Sequence, residues 1–147
     1  MNKQEQIVTA LRNYGGCHAQ LTRAFADSLG LHSTDAAALA EIIYAEDSGL
    51  PISPMALAKK LALSKSALSA CINRLEAANH VNRTRESSDR RVVTLRCSAD
   101  IYKHAGQFFL PLSVRMDAIL NNLTKSESEI IERFLRDSSK AILEVVP

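Results

Sequence analysis

The chain has 147 residues, 46% of them hydrophobic, so it can bury a core and is too apolar to be disordered throughout. Its formal net charge is only +2, Trp is absent and aromatics are 5%, which argues against a stacking platform for single-stranded nucleic acid. No apolar run approaches the roughly 18 residues of a membrane span, and the polar start Met1–Thr9 lacks a signal-peptide core. The cysteines Cys17, Cys71 and Cys97 are an odd, widely spaced set without a CxxC pair, which speaks against a disulfide framework or a zinc ribbon. The expectation is a single cytoplasmic domain with no cofactor and no membrane attachment.

The first predicted helix runs from about Lys3 to Leu29. Ile7, Leu11, Tyr14, His18, Leu21 and Phe25 recur at steps of four and three, a stripe that wants a partner helix. Gly15-Gly16 interrupts it, each at about 1 kcal/mol relative to Ala, so a kink or a close contact is expected there. After Gly30 a second helix starts near Ser33, read as its cap, and continues through Ala36, Leu39, Ile42, Ile43 and Tyr44. Asp47 to Pro51 is a turn by composition. Ser53-Pro54 is an N-cap followed by proline at the first helical position, and that helix reaches Leu61 or Ala62. Ser64 caps the next, Lys65 to about Ala78, whose inward face is Ala67, Leu68, Cys71, Ile72 and Leu75.

Val81–Glu86 and Arg91–Arg96 alternate β-branched residues around Ser87-Ser88-Asp89 and read as a hairpin. Ser98 opens a helix from about Ala99 to Asn121 that contains Pro111, where a bend is expected. Thr124 and Glu127 form a capping box for a last helix, expected to bury Ile130, Ile131, Phe134, Leu135, Ala141, Ile142 and Val145. The fold class is mainly α with a small β-hairpin.

Charge is unevenly distributed over these elements. Residues 53–96 carry nine Lys/Arg against three acids, a local +6 within a chain of +2. A near-neutral protein with its positive charge collected on a two-helix unit and a hairpin points to double-stranded DNA. Two helices joined by a short turn suit DNA when the second enters a major groove. On that second helix Lys65, Ser66, Ser69, Ala70, Asn73 and Arg74 face outward, and Ser64 and Ser66 stand at its N-terminus, where free N–H groups favour phosphate. Ala62 occupies the turn where glycine would be more comfortable. Arg85, Ser88, Asp89, Arg90 and Arg91 belong to the hairpin, a basic wing suited to a minor groove. Asp89 is read as the holder of a neighbouring arginine, with Arg90 or Arg91 reaching the groove.

Leu57-Ala58-Lys59-Lys60-Leu61-Ala62-Leu63-Ser64-Lys65-Ser66-Ala67-Leu68-Ser69, continuing to Asn73-Arg74-Leu75-Glu76, resembles the helix-turn-helix of the MarR (multiple antibiotic resistance regulator) family. Asp89-Arg90-Arg91 before Val92-Val93-Thr94-Leu95 resembles that family's wing, and the order of elements is similar over essentially the whole chain. The resemblance implies a bacterial winged helix-turn-helix homodimer joined through its first and last helices. It implies repression of transcription, relieved by a small ligand or an oxidant. Carried over by position, Ser64, Ser66, Ser69 and Arg74 become recognition-helix contacts, and Asp89 with Arg90 or Arg91 the wing pair. The division is then 1–30 and 98–147 for dimerisation and 33–96 for DNA.

Sensor chemistry is less defined. Tyr14, His18, Tyr44 and Tyr102 mark a possible ligand pocket between the first helix, the second helix and the 102–109 stretch. Cys17, one helical turn after Tyr14, is the redox candidate beside the plainer reading of an incidental cysteine. The four histidines form no HxxxH or HxxH pair, so no metal site is expected. Neither a Gly-x-Ser-x-Gly elbow nor a phosphate loop occurs, so the chain is not expected to be an enzyme. The leading expectation is a DNA-binding regulator. The alternatives are a thiol-based redox regulator of the same fold and a winged-helix protein-interaction module that binds no DNA.

Overall fold

A computed structural model describes residues 2–86, 88, 89 and 91–146. In chain order its elements are α1 (Lys3–Leu29), α2 (Ser33–Asp47), α3 (Pro54–Lys60), α4 (Lys65–Ala77), β1 (Val81–Thr84), β2 (Thr94–Cys97), α5 (Ala99–Leu120) and α6 (Lys125–Val145). They fall into two compact units, Met1–Gly106 and Gln107–Pro147.

The helix boundaries follow from local chemistry. Asn2 and Glu5 close a capping box at the start of α1, and Thr124 and Glu127 another at the start of α6. Ser53 and Ser64 each accept a backbone N–H three residues on, from Ala56 at 3.2 Å and Ala67 at 3.1 Å. Ser98 does the same for Ile101 at 3.3 Å. Ser33, expected as the cap of α2, is instead its first helical residue; His32 precedes it in an extended conformation and offers no side-chain bond. The glycine pair leaves α1 continuous from Lys3 to Leu29.

α1, α2, α3 and α4 each finish with a left-handed residue: Gly30, Gly49, Ala62 and Asn79. After α3 the Leu63 N–H bonds to Ala58 C=O at 2.9 Å and the Ala62 N–H to Lys59 C=O at 3.2 Å, the paired pattern that caps a helix end tightly. The same pairing closes α4, with His80 N–H on Leu75 C=O at 2.8 Å and Asn79 N–H on Glu76 C=O at 2.9 Å.

The core of the first unit is assembled around α2, which packs against α1, α3, α4 and β2. Phe25, Leu39, Ile42, Leu57, Ile72, Leu75, Val81 and Leu95 are essentially inaccessible to solvent. On α4 the buried stripe is Leu68, Cys71, Ile72 and Leu75, while Ala67, expected inward, is exposed. β1 and β2 pair antiparallel, Val81 opposite Cys97 and Thr84 opposite Thr94. They are shorter than the sequence suggests, because pairing stops at Thr84 and resumes at Thr94. At its base the hairpin is tied down by Leu95 N–H to Ile52 C=O and Ser98 N–H to His80 C=O, both at 2.9 Å.

The second unit holds the remainder of α5, Pro111 included, and α6. The sequence expects α6 to bury its apolar stripe, and within this chain it does not: no residue of α6 is buried among those described. Ile130, Ile131, Phe134, Leu135, Ile142 and Val145 all lie in the exposed class. The helix is amphipathic, with its apolar stripe exposed. His18 and Tyr14 on the stripe of α1 are likewise exposed, and burial begins only at Phe25.

Ala62 gives a direct test of the turn. Its φ of 52° puts a Cβ where an L-residue is disfavoured by roughly 1–2 kcal/mol, partly offset in a glycine variant by greater freedom of the unfolded chain. Ala62→Gly should raise stability by about 0.5–1 kcal/mol in urea unfolding. A lowered midpoint would show the turn to be unstrained.

Candidate nucleic-acid interface

α3 and α4 pack on each other, and Leu57, Leu68 and Ile72 on them are buried. This leaves Ser64, Lys65, Ser66, Ser69 and Asn73 exposed. Ser66, Ser69 and Asn73 are spaced three and four apart, so they form one outward row. The Ser64 hydroxyl is shared between the Ala67 N–H and the Ser66 hydroxyl, 3.2 Å away.

The polar residues near the end of α4 are already engaged. Arg74, expected as an outward contact, sends Nε to Asp35 Oδ2 at 2.9 Å and Nη2 to Asp35 Oδ1 at 2.6 Å. Asp35 sits in the first turn of α2 and is only 3% exposed. The Arg74 guanidinium, foremost, holds its carboxyl below the usual carboxylate range against the opposing effect of burial. Arg83 on β1 donates Nη2 to Asn73 Oδ1 at 3.1 Å and pairs with Glu76. Asn73 thus shares its amide oxygen with Arg83, which ties the recognition helix to the base of the wing.

The wing carries a second network. Arg96 bridges Glu86 at 2.6 Å and Glu46 at 3.4 Å, and the Cys97 N–H donates to Glu46 Oε2 at 3.0 Å. At the hairpin tip Asp89 Oδ1 accepts the Arg91 N–H at 3.0 Å and Nε at 3.3 Å. Asp89 therefore holds Arg91, as its place in the turn suggests. Arg91 remains almost fully exposed, with 92% of its side chain accessible. Arg85 and Ser88 are exposed on the same hairpin. Arg90, expected beside them, lies outside the described residues.

These pairs alter the charge reading. Asp35, Glu41 and Glu46, all on α2, neutralise Arg74, Lys60 and Arg96. Counting them with residues 53–96 reduces the local excess from +6 to +3. Among the described residues Lys59, Lys65 and Arg85 make no ion pair, so they and exposed Arg91 carry the outward positive field. Sequence reasoning missed Asp35, Glu46, Arg83 and Arg96. The one signal was an acid, Asp35, set in the apolar run Ala36-Ala37-Ala38-Leu39.

A cleft of about 580 Å³ lies between α3, α4 and the wing, walled by Pro54, Met55, Ala58, Leu68, Val92 and Val93, with Lys65, Ser69 and Arg91 beside them. The residues expected to line a ligand pocket lie elsewhere. Tyr14 and His18 have ring centroids 6.3 Å apart on α1. Tyr44 on α2 has its hydroxyl pushed up mainly by burial, then by Glu41, Tyr14 and Asp47. Tyr102 on α5 donates its hydroxyl to Asp47, which likewise raises it. Of the thiols, burial pushes Cys71 up to about 12 and Cys97 further still, so neither is a nucleophile near neutrality, whereas Cys17 is exposed. Among the described residues no three His, Cys, Asp or Glu side chains are placed to hold a metal. No described helix is long and apolar enough to cross a membrane.

A capped two-helix unit with a tight turn, followed by a basic hairpin, defines a winged helix-turn-helix protein, the DNA-binding fold of many transcriptional regulators. The profile of the MarR family matches residues 29–92. The HTH-type transcriptional regulator YcgE of Bacillus subtilis (strain 168) is 31% identical over 132 residues, covering 90% of this chain and 83% of that one. The chain belongs to the MarR family of transcriptional regulators. Solved structures agree in fold. MarR from Oenococcus oeni PSU-1 superposes with a TM-score of 0.63 at 16% identity, over 91% of this chain and 98% of that one. NadR in complex with 4-hydroxyphenylacetate does so at 0.64 and 20%, over 95% and 96%.

The Glu86–Arg96 pair makes a titration prediction. Hydrogen bonds from Arg96, then Thr84, lower the Glu86 carboxyl from 4.5 to about 2. A depressed folded-state value means that the pair stabilises the wing above the unfolded pKa and that this is lost as pH falls from 4.5 toward about 2. A carboxyl-detected NMR titration should find Glu86 near that low value and, in Arg96→Met, back near the ordinary one. Equal midpoints in the two proteins would remove Arg96 from the wing's support.

Proposed function

We propose that the protein is a homodimeric, sequence-specific regulator that binds a pseudo-palindromic operator in the cytoplasm, represses, and is released by a small effector. The single observation that carries this is the exposed row Lys65, Ser66, Ser69 and Asn73 on α4, continuous in sense of charge with Arg85 and Arg91 on the wing. Ser64 and Ser66 would receive phosphate at the N-terminus of α4. Lys65, Ser69 and Asn73 would meet base edges or backbone in the major groove, and Ser88, Arg90 and Arg91 would follow the minor groove, as would Arg85. Arg74 remains a candidate contact only through the half of its side chain that Asp35 leaves exposed.

Dimerisation through the terminal helices is supported by the apolar residues they leave in water. Ile7 and Val8 on α1, and Ile130, Phe134 and Ile142 on α6, are each more than 40% exposed. Such a surface is costly for a monomer. On this reading residues 1–30 and 98–147 join the protomers and 33–96 meet the DNA. An effector is supported by the half-exposed tyrosines Tyr14, Tyr44 and Tyr102 and by His18, hydrogen-bonding aromatics suited to a small aromatic ligand; NadR has been solved with 4-hydroxyphenylacetate.

Selection from a random duplex library should return a two-fold symmetric site, and light scattering should give twice 16.1 kDa. No enrichment, or a monomer at micromolar concentration, would contradict the reading. On the selected duplex Lys65→Ala and Arg91→Ala should each weaken binding and lower the salt slope by about 0.9 where one phosphate contact is lost. Unchanged affinity in both variants would take α4 and the wing out of the interface.

A further inference from the structure

Apolar packing alone leaves the recognition helix underdetermined. Leu68, Cys71, Ile72 and Leu75 press α4 onto its neighbours, but hydrophobic attraction has no direction, so a small roll of the helix changes little burial. The same roll matters greatly at the other face. At a radius of about 5–6 Å, turning the helix by about 20° moves a side-chain tip by about 2 Å, and a hydrogen bond to a base edge does not survive that displacement. Close packing limits the roll, and a directional bond fixes it more sharply.

We propose that Asp35 is a positioning residue for operator recognition: its buried carboxylate, gripped from α4 by both arms of the Arg74 guanidinium, sets the rotation of the recognition helix and thereby which side chains face the groove. The proposal rests on the DNA-binding reading above and adds a residue that does not itself touch DNA. Several observations converge. The carboxylate is 3% exposed and takes both guanidinium prongs, at 2.9 and 2.6 Å, from a residue 39 positions away. Two parallel bonds to a planar guanidinium fix an orientation that a single bond or a lysine would not. Cys71, one turn before Arg74 on the same helix, is fully buried and so keeps this side of α4 against the core. Asp35 lies in the first turn of α2, where the helix dipole favours a negative charge. α2 is in turn packed among α1, α3 and β2, so the anchor is set in the helix at the centre of the unit's packing. Arg74 belongs to α4 on the border between the buried stripe and the outward row. A clamp there resists roll in both directions.

The test separates this role from a direct contact and from bulk stability. Affinity for the selected duplex and for a scrambled duplex of equal length would be measured over several salt concentrations, for wild type, Asp35→Asn, Arg74→Met and the double variant. Loss of folded protein lowers both affinities together, whereas misrotation of α4 lowers only the specific one. Expected are a tenfold or greater loss on the selected duplex, little change on the scrambled one, and an unchanged salt slope. The double variant should be no worse than the more affected single, because the two residues act as one device. Arg74→Lys, which keeps the charge but not the fork, should fall between, and it carries the same expectation if Asp35→Asn fails to fold.

Wild-type specificity in Asp35→Asn would overturn the proposal. So would an Arg74→Met variant that loses affinity on both duplexes with a salt slope reduced by about 0.9, since Arg74 would then be a phosphate contact. Wild-type protein that prefers no duplex would contradict the DNA-binding reading itself, and this proposal with it.

Discussion

Burial of α2 is the constraint on which the DNA-facing surface depends. Ala36, Leu39, Ile42 and Ile43 put this helix in the core, and α1, α3, α4 and β2 all pack on it. A close-packed helix with neighbours on several sides has little room to shift, because each displacement opens a void on one side and a clash on the other. α2 also carries three carboxylates that reach out of this packing. Asp35 takes Arg74 of α4, Glu41 takes Lys60 at the end of α3, and Glu46 takes Arg96 and the Cys97 N–H of β2. α3, α4 and β2 are thus each tied by a charged bond to the same buried helix.

The ties are not of equal weight. Lys60 is more than half exposed, and an ion pair of that kind contributes roughly 0.2–1 kcal/mol. Asp35 is buried and bonded by both arms of a guanidinium, and removing Arg74 costs more, because it strands the carboxylate in a dry site. The same arrangement divides the cations by task. Arg74, Arg83 and Arg96 hold elements together, while Lys59, Lys65 and Arg85 stay unpaired among the described residues and Arg91 stands out at the wing tip. Net charge over a segment therefore overstates the field a polyanion would feel.

What could be read from the sequence was what local chemistry determines. Ser53-Pro54, Ser64 and the Thr124–Glu127 box mark helix starts because capping involves residues three apart, and the structure has all of them. The helix-turn-helix and wing follow from the same local signals, and the family resemblance rests on them. What escaped depends on tertiary structure, on partners distant in the chain and on which faces the fold covers. Arg74 looked like an outward contact because nothing near it in sequence announces Asp35, 39 residues earlier. Ile130, Phe134 and Ile142 looked buried because amphipathicity tells which face is apolar and not whether the fold covers it. Ser33 was taken for a cap because serine is the commoner choice, but the chain turns helical one residue sooner. The outward faces of α4 and the wing were legible as surfaces; which of their side chains were already occupied was not.

The central claim is that α4 enters a major groove in each half of a two-fold site. Methylation interference on the selected duplex tests it most directly, since guanine N7 lies in the major groove and adenine N3 in the minor. The account predicts two clusters of major-groove interference about one helical turn, ~34 Å, apart on one face of the duplex, flanked by minor-groove interference from the wings. A single cluster, or interference confined to the minor groove, would contradict it.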